Sequence, residues 1–140
     1  MRVRPFQGGD EAPVVALWQQ CALTRPWNDP HKDIARKLKV QPELFLVGTV
    51  DATIVATVMA GYEGHRGWIN YLAVAPALRG RGYARSLMQS AEQLLLERGC
   101  PKINLQVRAS NAEAVDFYRH LGYEQDRSVS LGKRLIHDGQ

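Results

Sequence analysis

The residues that most plainly carry chemistry stand together in Arg79-Gly80-Arg81-Gly82-Tyr83-Ala84. They follow a strand-like run, Leu72-Ala73-Val74-Ala75-Pro76, and open the most regular helical pattern of the chain. The first turn of a helix has unpaired N–H groups and a partial positive charge. Glycines at its mouth let an anion approach the backbone closely, and Arg79 and Arg81 add charge beside it. These residue types in this order suit a phosphate or pyrophosphate. Two nucleotide-binding patterns are excluded. The dinucleotide fingerprint needs a third glycine where this chain has Arg85, and the P-loop needs a Gly-Lys-Ser/Thr that is absent. Composition and spacing leave one plain alternative open, an Arg/Gly-rich turn that merely starts a helix.

The elements that must position this turn are readable along the chain. Arg2 to Phe6 alternates as a short strand, and Asp10 suits the N-cap of a helix to about Cys21. Thr24 to Pro30 is a loop, and Asp29-Pro30 reads as the cap and first position of a helix to about Lys39. Leu44–Val50 and Thr53–Tyr62 are strand-like, with Asp51-Ala52 between them as a hairpin turn. Trp68–Val74 is a third strand of this region. Ala84, Leu87, Met88, Ala91, Leu94 and Leu95 share one helical face, which Gly99 ends. Lys102–Arg108 reads as a buried strand, and Ser110-Asn-Ala-Glu113 as a capping box opening a helix to Leu121. Tyr123–Asp126 and Val129–Leu135 are the last two expected strands. The order β-α-α-β-β-β-α-β-α-β-β predicts a mixed α/β (α+β) fold, a mostly antiparallel sheet of six to seven strands flanked by about four helices.

Residues 1–140 read as a single domain, large enough for one core. The hydrophobic share of 45% and charged share of 23% are ordinary for a globular chain. No apolar run is long enough to span a bilayer, and the first residues lack a secretory apolar region, so a cytoplasmic location is expected. The net charge of +4 suits a polyanionic small ligand as well as a nucleic acid. No helix aligns Arg and Lys with interleaved aromatics, which speaks against nucleic acid. Cys21 and Cys100 stand outside any metal-ligand spacing and read as reduced thiols, so neither a metal nor a disulfide is expected.

Arg79-x-x-Gly82-x-Ala84 resembles the acyl-CoA motif of the GCN5-related N-acetyltransferases (GNAT). Downstream, Asn111-Ala-Glu-Ala-Val-Asp-Phe-Tyr118-Arg-His-Leu-Gly-Tyr123 resembles that family's second motif. Within it the chain is similar to the YpeA group of small bacterial acetyltransferases, through Leu23–Pro30, Gly61–Gly67, Arg98–Ile103 and Ser130–Ile136. The resemblance implies a GNAT fold and transfer of an acetyl group from acetyl-CoA to a primary amine, without a metal. It implies a pyrophosphate held by backbone N–H groups of Arg81, Gly82, Tyr83 and Ala84, with Arg79 and Gly80 alongside. Main-chain groups of Leu72, Ala73 and Val74 would take the pantetheine arm, and Asn111 would contact that arm while capping its helix. Tyr118 matches the family's general acid; by spacing alone it is an aromatic packed with Phe117 and Leu121.

The catalytic base departs from the family. Positions that often carry a Glu or His are here Trp68, Asn70 and Gln106, and neither amide takes a proton at neutral pH. The nearest carboxylate by sequence is Glu63, expected to act through water, with Asp29 as a further candidate. Trp27, Asp29 and Asn70 are the expected acceptor-side residues. Arg36-Lys37-Lys39 reads as a solvated helix face and His65-Arg66 as an exposed turn. The rival reading is a GNAT-fold module that binds acyl-CoA with little catalysis. A homodimer is compatible with either.

Overall fold

The computed structural model describes residues 1–139. The sheet order is β1-β2-β3-β4-β5. Strands β1 (Arg2–Pro5), β2 (Phe45–Val50), β3 (Thr53–Tyr62) and β4 (Gly67–Val74) pair antiparallel, and β5 (Ile103–Leu105) lies parallel to β4. Asp51 and Ala52 form the two-residue turn between β2 and β3, both with positive φ, 50° and 64°. Such a turn matches the twist of the strands it joins. Helices α1 (Glu11–Gln20) and α2 (Pro30–Lys37) cover one face; α3 (Tyr83–Glu97) and α4 (Ala112–His120) lie on the other.

Each face has its own core. Leu87, Met88, Ala91 and Leu95 of α3 are buried against Val58, Ala60, Ile69 and Val74 of the sheet. Val14, Leu17, Trp18 and Ile34 pack with Phe6, Phe45, Val47 and Ala73 on the opposite side. Burying a side chain of this size contributes about 1.5–3 kcal/mol. These strands are therefore fixed from both faces.

The register of β4 carries the feature on which the site depends. Thr57 pairs with Ala73 while Met59 pairs with Asn70, so one extra residue is accommodated around Tyr71 and Leu72. Tyr71 has φ of 52°. A bulge of this kind bends its strand and re-aims its side chains. Pairing of β4 with β5 stops at Ile69 and Leu105, and the two parallel strands part beyond it.

Four expectations are corrected. Asp10 does not cap α1 through its side chain; its carboxylate is taken by Arg4 at 2.7 and 3.0 Å and by the Gln7 N–H. The capping box read from Ser110 does not form; Asn111 caps α4, as also expected of it, with its Oδ1 accepting from the Ala114 N–H at 3.1 Å. The strand expected over Lys102–Arg108 is confined to Ile103–Leu105, because from Gln106 onward it has no β4 neighbour. Tyr123–Asp126 and Val129–Leu135 form no strand, so the sheet has five strands. A strand needs a ladder partner, and β5 offers only a three-residue edge. Segment 124–138 is instead tied by side chains: Asp126 to Lys102 and Asn104, Ser130 to Gln106, and Asp138 to Arg36.

Candidate active site

Where β4 and β5 part, a cleft of about 720 Å³ opens. Its walls are Asn70, Tyr71 and Leu72 of β4, the segment Leu105–Arg108, and Asn111, Ala114 and Tyr118 at the start and middle of α4. Asn28, Asp33, Arg36 and Lys37 close it from the α1–α2 side. The cleft thus lies between the two helical layers, and its β4 wall ends at Leu72.

That turn is built as the spacing suggested. A short 3-10 turn, Pro76–Leu78, follows β4, and Gly80 and Gly82 both adopt φ of 81°. Only glycine takes this conformation without strain. A β-carbon at either position would meet nothing within 4 Å. Gly82 is the N-cap of α3 and supplies no side-chain cap. Its carbonyl accepts from the Ser86 N–H at 3.0 Å, whereas the N–H groups of the first turn point out of the helix without partners within it. Arg79 reaches back to the Val74 carbonyl at 3.4 Å, leaving Arg81 exposed beside the turn. This donor set fits a pyrophosphate.

Tyr118 stands on the cleft wall, edge-on to Phe117 and Tyr123 at centroid distances of 5.1 and 5.7 Å. Burial pushes its phenol up to about 12, so it is a proton donor at neutral pH. Asn70 and Leu72 also line the cleft. Ala73 and Val74 are buried in the sheet and do not line the cleft, and the Val74 carbonyl accepts from Cys21 Sγ at 3.3 Å as well as from Arg79.

Several expected site residues are elsewhere. Glu63 is exposed in the β3–β4 turn, where its carboxylate accepts from the backbone N–H groups of His65 and Arg66. Those two donors hold its carboxyl below the usual range, the opposite of what a base requires. It adjoins the paired end of β4, where Gly67 meets Ile103, and does not line the cleft. Asp29 caps α2 through the His31 N–H at 2.9 Å, as its sequence position implied, and lies outside the cleft lining. Trp27 is 41% exposed, and its carbonyl accepts from the Asp138 N–H and from Arg134.

Two features of the acceptor side have no local sequence signal. Asp33 is the one carboxylate among the residues lining the cleft. Its Oδ2 accepts from the Tyr71 hydroxyl at 2.6 Å and from Asn28 Nδ2 at 2.7 Å, and its Oδ1 from Arg36 at 3.1 Å. The second is Lys37, expected on a solvated face. It is buried, and its ammonium donates to the Ala60 carbonyl at 2.5 Å. Desolvation lowers its pKa. Arg36, on the same expected face, is bound to Asp138 at 2.6 and 3.1 Å. Only pairings between residues distant in sequence could reveal these roles.

The comparisons with known proteins agree with this geometry. Residues 12–123 match the model of the acetyltransferase (GNAT) family. An acetyltransferase of Yersinia pestis is 51% identical over 138 residues, covering 99% of this chain and 98% of that protein. Among solved structures, the ribosomal-protein-S18-alanine N-acetyltransferase of Escherichia coli superimposes with a TM-score of 0.75 at 24% identity, covering 89% of this chain and 78% of that one. A chain of the NatC complex bound to Gag peptide and CoA gives 0.75 at 20% identity, over 90% and 86% of the two chains. Those two likenesses are of fold, a mixed sheet flanked by helices. Identity at the level of the Yersinia relative, over nearly the whole chain and on a sheet parted between β4 and β5, shows that this chain belongs to the GNAT family of acetyltransferases.

Proposed function

We propose that the protein transfers an acetyl group from acetyl-CoA to a primary amine, by direct attack while both substrates occupy the cleft. The observation that carries this reading is a cleft walled by the bulged part of β4 and by Tyr118, on a strand that leads within a few residues to a turn with two left-handed glycines at the mouth of α3. The structure of a distant neighbour, the NatC complex, contains CoA by its own description.

Acetyl-CoA, when bound, supplies an activated acetyl thioester. Arg81, Gly82, Tyr83 and Ala84 would hold its pyrophosphate through backbone N–H groups, with Arg79 and Gly80 at the rim. Main-chain groups of Leu72, Ala73 and Val74 would take the pantetheine arm, and Asn111 would flank it. A β4 N–H freed by the bulge would donate to the carbonyl oxygen as charge develops there. Tyr118 would protonate the departing sulfur as the C–S bond breaks, and the amine, attacking in its neutral form, would lose its surplus proton to solvent once the C–N bond has formed. A thiol's ordinary pKa near ~8.5 makes it a tolerable leaving group, so this acid accelerates the reaction without being indispensable. Holding both reactants in one cleft supplies proximity. Of the expected acceptor-side residues, only Asn70 borders the cleft; Trp27 and Asp29 organise the loop behind it.

The test has two parts. CoA should raise the melting temperature, since a ligand bound only by the folded state stabilises it. Tyr118→Phe retains the ring and its packing, so CoA binding should persist while kcat falls by about 10²–10⁴-fold with little change in KM for acetyl-CoA. A variant turning over at the parent rate would remove Tyr118 from the mechanism.

A further inference from the structure

Tyr71 is held more firmly than a strand residue needs to be. Its φ of 52° is an uncommon conformation for a bulky residue, one that costs of the order of 1–3 kcal/mol and persists only where surroundings enforce it. Here they do. Its ring stacks on Trp18 with centroids 3.8 Å apart and planes 12° from parallel. Its carbonyl accepts from the Thr57 hydroxyl at 2.8 Å, and Thr57 Oγ1 in turn accepts from the Trp18 indole N–H at 2.9 Å. Trp18 and Thr57 are fully buried.

The hydroxyl is equally constrained. A phenol has one proton to donate and lone pairs to accept with. Tyr71 gives its proton to Asp33. Asn28 also hydrogen-bonds this hydroxyl, which leaves one lone pair on its oxygen. Tyr71 lines the cleft, where the charged neighbours beside Asp33 are donors: Arg25, Arg36 and Lys37. An incoming amine is itself a donor and needs an acceptor there. Asp33 already accepts from three donors, which makes it a poor base but a fixed negative charge behind the phenol.

We infer that the Tyr71 hydroxyl oxygen, oriented by Asp33, receives the N–H of the acceptor amine and sets it against the thioester. The assignment rests on the acetyl-transfer reading above. It makes Tyr71 the group that touches the amine and Asp33 a positioning residue.

Turnover would be followed as thiol release from acetyl-CoA with four primary amines: ethanolamine, tyramine, spermidine and L-alaninamide. Tyr71→Phe keeps the stack on Trp18, and Asp33→Asn keeps an oxygen facing the phenol. Each should raise KM for the best of the four amines about tenfold or more, the loss expected for a charge-assisted hydrogen bond. KM for acetyl-CoA and the melting-temperature rise given by CoA should stay at parent values. The double variant should lose little beyond either single one, because Asp33 acts through Tyr71. Parent amine KM in both single variants, or an equal rise in KM for acetyl-CoA, would overturn the assignment. So would failure of all four amines while CoA still stabilises the protein. If CoA leaves the melting temperature unchanged, it is the acetyl-transfer reading that fails.

Discussion

The glycine turn and the α2 side of the cleft are built by different means. The turn is local: a strand, a short turn with two left-handed glycines, and the first turn of α3, all within Leu72–Ala84. What it offers a ligand is main-chain N–H groups, whose direction follows from backbone conformation. The α2 side of the cleft is assembled over distance. Tyr71 meets Asp33 from α2, Trp18 from α1 and Thr57 from β3, and Arg36 is held by Asp138 near the chain's end. The first kind of site depends on a few residues of sequence. The second depends on the whole tertiary structure, and it should fail by different routes.

The sharpest break between the two is Gly82→Asp. It puts a β-carbon on a residue with φ of 81° and a negative charge at the mouth of α3. We expect a loss in CoA affinity of at least about 100-fold, or roughly 3 kcal/mol. Space around Gly82 is open, so Gly82→Ala should lose far less. If the two variants bind CoA equally in a titration, charge at this turn is not what holds the ligand. Thr57→Val attacks the α2 side. It strands the buried Trp18 N–H and the Tyr71 carbonyl, which costs about 1–3 kcal/mol for each unpaired group. Urea unfolding should register the loss, while CoA still stabilises the variant.

A smaller effect concerns the tie between α2 and the C-terminal segment. The Arg36 guanidinium and the Asp29 N–H hold the Asp138 carboxyl down to about 2, below its ordinary value near ~3.9. A carboxyl depressed by folding contributes stability above its unfolded pKa and loses it as pH falls through the folded one. Asp138→Asn should therefore melt below the parent at pH 7, with the gap closing between about pH 4 and pH 2. A gap that persists unchanged across this range would mean that the ion pair is not its source. The smallest expected change is Glu63→Gln. Because Glu63 closes a turn outside the cleft, kcat and its pH profile should remain within about twofold of the parent. A lost acidic limb would restore Glu63 as the base.

The same contrast decides how much was legible in advance. The glycine turn, α3, the β2–β3 hairpin and the Asp29 cap are set by neighbours in sequence, and each appears where local chemistry placed it. The last two expected strands have the right residue types, yet Leu131 is 90% exposed and unpaired in a ladder. Strand propensity describes a side chain that fits a pleated surface; it does not supply the edge to pair with. Glu63 is the carboxylate nearest in sequence, but the bulge that re-aims β4 beside the cleft lies beyond it, at Tyr71 and Leu72.

By itself, then, the sequence determined the order of the elements through β5 and α4, the anion-ready turn and the family resemblance. Such features depend on backbone conformation and helical or strand periodicity, which act over a few residues. Tertiary structure alone decided that Asp33, rather than Glu63, borders the cleft, that Lys37 is buried, and that the Tyr71 hydroxyl donates to Asp33. Those outcomes turn on which side chains meet across the sheet and on where each hydroxyl sends its single proton, and no local pattern encodes either.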